Sequence, residues 1–395
     1  MEAGNRQSQQ ASLAARLPTL FSVNLFLVFV PLGLVAHAKS WPVAVVALLN
    51  LVAIVPLSVH LSSASDAIGN RWGSLIGGLV NASFGNTVEL IVGIVAVLRD
   101  EPRVAQSIML GSILSDILLV QGFCFIAAAR GTGVLQVNSA IADTLSTLMI
   151  ITTVALVLPA ALYSTFSSRK SNGADVGRMV LSFSRATAIV LLVVYAAYLY
   201  FQLKTHSSIF VGEDDEEAEG EEGDWGTYRD DPRGDAPEAE MQAGGDDTPS
   251  LAKVAVAGII LLASGAIIAK CTVNLMEHLD GMSQSLNISK TFIAIVIIPL
   301  VSNAPEMAQV VAASRKQKIN FAIGVIIGSI LQIALFVLPV LVLIGWVWQR
   351  RMDLYFQPSQ TYILLLAAVL VNQVLQDKHY TFLHGVLLIS VYVKS

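Results

Sequence analysis

The chain has 395 residues, enough for two or three soluble domains, yet 54% are hydrophobic and only 13% charged. Soluble domains carry about 25% charged residues, and the acids present here are not spread out: 16 of the 29 lie between Glu213 and Asp247. The remainder is too apolar to solvate itself as a globule, so soluble classes are excluded. The net charge of −5 describes one segment rather than a surface.

Apolar runs long enough to cross ~30 Å of hydrocarbon as helices of ~20 residues recur along the whole chain. They fall near residues 20–38, 42–62, 73–98, 104–129, 136–162, 184–203, 251–272, 291–314, 321–347 and 360–376, with a shorter eleventh beginning near 379. Unpaired backbone groups are not tolerated in lipid, so runs of this length predict helices. The short alternating segments of a membrane β-barrel are missing. The expected fold is an all-α polytopic membrane protein of about 11 transmembrane helices. The first 17 residues are polar and lack the pattern of a cleavable signal, so the first run is expected to be retained. The 24 Lys and Arg split evenly between the two sides of this layout, so the positive-inside rule assigns no orientation.

Residues 204–250 interrupt the runs. Glu213, Asp214, Asp215, Glu216, Glu217, Glu219, Glu221 and Glu222 cannot bury an apolar face and read as a solvated linker between six spans and five. Cys124 and Cys271 fall in or beside apolar runs and read as small core residues. The six histidines are scattered without metal-ligand spacing. There is no basic patch to bind nucleic acid. No P-loop or nucleophile motif points to an ATPase or hydrolase, so an enzyme is not expected.

Within the apolar runs the chain repeats itself. Gly85-Asn86-Thr87-Val88-Glu89 in the third run matches Ser302-Asn303-Ala304-Pro305-Glu306 in the eighth at an offset of 217. The same offset carries Gly111-Ser112-Ile113-Leu114 onto Gly328-Ser329-Ile330-Leu331. The copies stand five spans apart, an odd number, so the chain runs in opposite directions through them. That is the inverted-repeat layout of many secondary transporters, with the site between the repeats near the midplane. The expected organisation is a tail at 1–19, an extra first helix at 20–38, one five-helix half at 42–203, the acidic linker at 204–250 and a second half at 251–395.

Glu89 and Glu306 sit inside apolar spans, where a charge costs ~2.5–3.5 kcal/mol or more, and Lys and Arg are absent from the central parts of these spans. A shared cation is the compensation expected. A hard divalent ion takes ~6–8 oxygens from carboxylates, amides, carbonyls and water. Ser74, Gly78, Asn81, Gly85 and Glu89 fall on one face of a continuous helix, within about 80° of arc, with Asn86 about 60° off its edge. Pro299 and Pro305 each remove a helix hydrogen bond and free the carbonyls of Ile295 and Val301. Ser112, Ser115, Ser329 and Gln332 read equally as pathway-lining or packing residues. Asp116 has no counterpart, since its partner position is Ile333; it reads as cavity-lining or as a structural hydrogen bonder. Asp66, Asp143, Glu277 and Asp280 lie near span ends and are expected at the interface. Carboxylates crowded away from water hold either a cation or protons, which is the logic of an exchanger.

The run Gly77-Gly78-Leu79-Val80-Asn81-Ala82-Ser83-Phe84-Gly85-Asn86-Thr87-Val88-Glu89-Leu90-Ile91 resembles the first repeat signature of the cation/proton exchangers, the Ca²⁺/H⁺ antiporters of fungal and plant vacuoles. The segments 27–34 and 289–299 and the acidic tract are similar to the fungal members. The resemblance implies two inverted five-helix repeats after an extra helix, a cytosolic N-terminus and linker, and a vacuolar address. It also implies export of cytosolic Ca²⁺, with Mn²⁺ as a second cargo, against lumenal protons and without a cofactor. Glu89 and Glu306 become the transport carboxylates, Asn86 and Asn303 their neighbours, and 213–224 a regulatory cation-binding helix. Three positions depart from the family pattern: Thr87 for Ala, Ser302 for Gly, and Met307 for the His after the second glutamate. Asp116 stands in place of an Asn, where it offers a second titratable group for the missing imidazole. A non-transporting relative acting as a sensor or scaffold, and a cation channel, are the competing readings. Membrane lipid is the expected surrounding, and the sequence is silent on oligomeric state.

Overall fold

The computed structural model describes residues 24–69, 71, 84–132, 135–136, 139–167, 173–205, 251–376 and 379–394. Asn81 and the rest of 72–83, and the whole acidic run 213–222, lie outside the described residues. The described chain is almost entirely helical: α1 Phe29–Ala38, α2 Val43–Gly69, α3 Thr87–Leu98, α4 Pro102–Leu114, α5 Gln121–Thr132, α6 Ser139–Ser167 and α7 Gly173–Tyr200 before the linker. After it come α8 Leu251–Leu286, α9 Lys290–Ser302, α10 Ala304–Arg315, α11 Ile319–Gln332, α12 Leu338–Val347, α13 Pro358–Gln376 and α14 Phe382–Lys394. A two-residue antiparallel bridge, β1 Leu135–Gln136 with β2 His379–Tyr380, staples the connection before α6 to the one before α14.

Six of these helices are long and apolar enough to cross a membrane unaided, counting α4–α5 and α11–α12 as one span each. A seventh candidate is α9 with α10, bent by 52° at Asn303. Shorter apolar helices lie at Asn24–Ala38, Thr87–Leu98, Ser146–Ala161 and Phe382–Lys394. Every run read from the sequence has a helix under it. Three are clearly longer than expected: α2 continues past residue 62 to Gly69, α8 past 272 to Leu286, and α7 starts well before 184. Hydropathy marks only the apolar stretch, while an α-helix continues into polar sequence until a stop signal ends it.

Element bounds recur at the offset found in the motifs. Thr87–Leu98 becomes Ala304–Arg315, and α4 and α11 begin at the matched residues Pro102 and Ile319. Each is preceded by a positive-φ residue at a matched position, Asp100 and Gln317, both at φ 63°. Each is also followed by a π-helical turn, Ser115–Val120 and Ile333–Val337, whose starts are one residue out of register and whose ends match. Such bulges widen a helix by one residue and occur often at functional sites. The packing partners match as well, since α3 lies against α12 while α10 lies against α5.

The core lies where α4, α5, α11 and α12 cross the middle of the bundle, lined by residues such as Ile108, Leu110, Ile117, Ile326, Leu331 and Leu335, all inaccessible to solvent. The flanking helices α7, α8 and α13 keep apolar faces exposed, including Val193, Leu262 and Leu366, as a lipid-facing wall requires. Cys124 and Cys271 are free and buried, as expected. Asp66 and Asp143 are exposed, Glu277 pairs with Arg99, and Asp280 with Lys290, which fits the interfacial placement.

One close approach is set by a glycine. The carbonyl of Ile295, the group Pro299 was expected to free, lies against Gly111, where an added Cβ would sit 2.1 Å from its oxygen. Gly111→Ala must therefore force α4 and α9 apart, costing about 1–3 kcal/mol or more. Gly265→Ala, whose Cβ meets Ile91 Cδ1 at an ordinary 3.6 Å, should be neutral or slightly stabilising. Thermal unfolding in detergent should show a lowered midpoint for the first variant alone.

Candidate functional site

The two signature asparagines sit at helix breaks. The backbone turns at Gly85-Asn86, and α3 starts at Thr87. It turns again at Asn303, and α10 starts at Ala304. This corrects the reading of 74–89 as one continuous helix. The break re-aims the chain, so Glu89 cannot be placed on a wheel running back through Gly85, which lies exposed in the turn. The break also puts Glu89 and Glu306 at the third position of their helices, in the first turn. Free N–H groups and the helix dipole favour a carboxylate there, while before Glu306 the carbonyls that end α9 favour a cation.

An asparagine at a helix start ordinarily accepts a hydrogen bond from its own first turn. Neither of these does. Asn86 Nδ2 donates to the Ser329 carbonyl (3.4 Å) and to Gln332 Oε1 (2.9 Å). Asn303 Nδ2 donates to the Ser112 carbonyl (3.3 Å) and to Asp116 Oδ1 (2.7 Å). Ser112 and Ser329 are repeat-matched, so the two asparagines make the same contact reciprocally, each reaching into the other half. Gln332 matches Ser115, one position before Asp116, so the second contact of each pair is shifted by one residue.

The network closes through Ser329, whose hydroxyl lies 3.1 Å from Asn86 Oδ1 and 2.9 Å from Asp116 Oδ2. Each Asp116 oxygen thus has one partner, on α10's cap and on α11, and Asp116 is wholly inaccessible to solvent. Both readings of Asp116, cavity-lining and structural hydrogen bonder, fit this placement. The Ser302 hydroxyl bonds the Pro299 carbonyl and Asn303 Oδ1, both at 3.3 Å, and lies beside Glu89. Glu306 lies beside Ser329, and Glu89, Glu306 and Asp116 are close enough to feel each other's charge.

Asn86, Glu89, Ser112, Ser115, Asp116, Ser302, Asn303, Ser329 and Gln332 are all buried, and Glu306 and Met307 are partly buried. The structure brings nine of them, Asn86, Glu89, Ser112, Asp116, Ser302, Asn303, Glu306, Ser329 and Gln332, into one polar cluster. Sequence reasoning passed over Gln121, the residue directly after the first π turn, which is fully buried and has no side-chain hydrogen bond among the described residues. Its only signal was a glutamine inside an apolar run. Glu306 Oε1, Ser112 Oγ and Gln332 Nε2 are likewise buried and unpartnered. Buried polar atoms are rarely left so; of these, the Glu306 and Ser112 oxygens are of the kind a hard cation takes, whereas Gln332 Nε2 is a donor.

Residues 41–204 and 256–394 match the sodium/calcium exchanger protein family. The chain belongs to that family. A vacuolar calcium ion transporter of Schizosaccharomyces pombe is 36% identical over 93% of this chain and 82% of its own length. A rice vacuolar cation/proton exchanger is 33% identical over 94% of this chain and 84% of its length. Among solved structures, native YfkE superposes with a TM-score of 0.73 at 25% identity, covering 95% of this chain and 97% of that one. This exchanger is an integral membrane protein of transporters, and the resemblance read from its motif is borne out.

Removing one asparagine should expose how much the cluster depends on the crossed contacts. Asn303→Ala leaves Asp116 Oδ1 without its donor, at about 1–3 kcal/mol for a buried unpaired group, while the Ser112 carbonyl keeps a backbone N–H. Met307→Leu, a volume-conserving swap, should cost less. Thermal midpoints of the two detergent-solubilised variants give the comparison.

Proposed function

We propose that this exchanger moves cytosolic Ca²⁺ into the vacuole in return for protons, by alternating access at a site where Glu89 and Glu306 serve as the two ion-binding carboxylates. The observation that carries the reading is the reciprocal pair of asparagine contacts. They hold two first-turn glutamates, one from each matched segment, in a single buried polar cluster. Asn86 and Asn303 position the glutamates, and Ser302, Ser329, Ser112 and Gln332 add oxygens around them. Relatives described as vacuolar calcium ion transporters, cation/proton exchangers and a Ca(2+)/H(+) antiporter support the choice of ions and of compartment.

The proposed layout is eleven spans: an extra first helix, then two inverted five-helix repeats at 42–203 and 251–395, joined by a cytosolic acidic linker. The recurrence of element bounds at one offset supports the repeats. The six long helices, the broken pair and the four shorter apolar helices correspond in position to the eleven runs. Mn²⁺ is a second cargo, since its oxygen preference overlaps that of Ca²⁺, and the acidic run 213–222 is the regulatory cation-binding segment.

With the site empty, protons neutralise the crowded carboxyls; with Ca²⁺ bound, the cation does. Occupancy is therefore exclusive, and each ion's departure is tied to the other's arrival. Glu89→Gln and Glu306→Gln retain shape and remove charge, so each should lower proton-driven ⁴⁵Ca²⁺ uptake into vesicles by on the order of a hundredfold, since charge count sets affinity at such sites. Uptake that survives both substitutions would exclude the reading, and a scaffold would show no uptake in the unsubstituted protein.

Asp116 is proposed to carry part of the proton load that the absent histidine carries elsewhere. Asp116→Asn should then flatten the dependence of uptake on external pH while leaving some uptake in place. A pH profile that superposes on the parent's would assign Asp116 a purely structural role.

A further inference from the structure

The first helix ends beside a group of polar side chains distant from the ion site. His37, at the last turn of α1, lies against Glu277 and His278 on α8, with one donor atom from each within 4.8 Å of the others. His37 Nε2 is 3.8 Å from Glu277 Oε2, and the two imidazoles meet edge to face with centroids 5.3 Å apart. The three are partly accessible from the aqueous boundary, with His37 and Glu277 side chains 29% and 34% exposed.

Two further contacts orient the donors. His278 Nδ1 is 2.8 Å from the carbonyl of Asn274. A carbonyl only accepts, so Nδ1 carries the proton and Nε2 keeps its lone pair free. Arg99, at the C-terminal end of α3, holds Glu277 Oε1 at 2.6 Å and leaves Oε2 turned toward His37. A second nitrogen, His37 Nδ1, is buried without any hydrogen-bond partner. Metal-binding histidines characteristically donate their other N–H to a carbonyl, and their carboxylate co-ligands are themselves hydrogen-bonded. His278 shows the first feature and Glu277 the second.

We propose that His37, Glu277 and His278 form a second metal site, for a borderline transition ion of the Zn²⁺ type, which clamps α1 to α8. Two imidazoles and one carboxylate suit Zn²⁺, with bonds of about 2.0–2.2 Å and a fourth position left to water. Ca²⁺, which takes oxygens, does not fit. The spacing of 3.8 Å between His37 Nε2 and Glu277 Oε2 is close to the roughly 3.4 Å between neighbouring ligands of a tetrahedral ion. The remaining donor comes in by rotation about side-chain bonds. Arg99 and Lys270, the cations facing Glu277, oppose a divalent ion, so the site binds reversibly rather than as a permanent structural metal. Arg99 also belongs to the helix that begins at Glu89, so the clamp bears on the element carrying an ion-site carboxylate.

The test is Zn²⁺ titration of the full-length purified protein by calorimetry, in the parent and in the Glu89→Gln/Glu306→Gln background. One Zn²⁺ should bind in both. Its affinity should fall tenfold or more, on the order of what loss of coordinating support costs, in His37→Ala and again in His278→Ala. Without any substitution, Zn²⁺ should protect His37 and His278 from diethyl pyrocarbonate, read by peptide mass. Equal affinity in the histidine variants, or modification of both histidines unaffected by Zn²⁺, would overturn the proposal. None of these readouts requires transport.

Discussion

A carboxylate inside an apolar bundle must be met by protons, by cations or by hydrogen-bond donors, and this fold is arranged around three of them. Glu89, Asp116 and Glu306 lie close enough to interact, which no single helix could achieve. The helix breaks at Asn86 and Asn303 turn first-turn glutamates toward the middle. The π turns after Leu114 and Gln332 shift the facing helices by one residue at the same level. Asn86 is satisfied by Ser329 and Gln332, and Asn303 by Ser112 and Asp116, so neither break could keep its part of the cluster without the helices around the other.

That dependence gives the bundle its specificity. Apolar contacts between helices in lipid gain little from exclusion of water, and packing closeness and polar contacts decide which helices meet. Here the closeness is visible at Gly111 against the Ile295 carbonyl, and the polar contacts are the crossed asparagines. Elsewhere the same rule operates in miniature. Gln106 donates to both the backbone and the side chain of Asp353, and Gln360 donates to Ser107, fastening the segment after α12 to α4.

Much of this was legible in the sequence because repetition and cost are both written there. An acid in an apolar run announces itself, and two at one offset announce a pair; Asn86, Glu89, Asn303 and Glu306 were found that way. What the sequence could not convey was direction. A helical wheel assumes an unbroken helix, and Gly85-Asn86 breaks it. Nor does Asn86 in sequence reveal that its amide reaches Gln332. His37 and His278 looked scattered because metal-ligand spacing along the chain says nothing about residues that two separate helices bring together. Nor could the sequence name the partners of Asp116, since Asn303 and Ser329 lie far from it along the chain.

Asn50 has a quieter role. Fully buried on α2, it donates to the Gly33 carbonyl of α1 at 3.2 Å and accepts from Asn274 of α8 at 3.1 Å. A helix held only by greasy contact can be shed and its place taken by lipid tails. Lipid tails, however, accept no hydrogen from an amide. The amide also reaches the Val46 carbonyl on its own helix at 2.8 Å, so α1 supplies the acceptor for its second hydrogen, and shedding α1 would leave that hydrogen facing lipid.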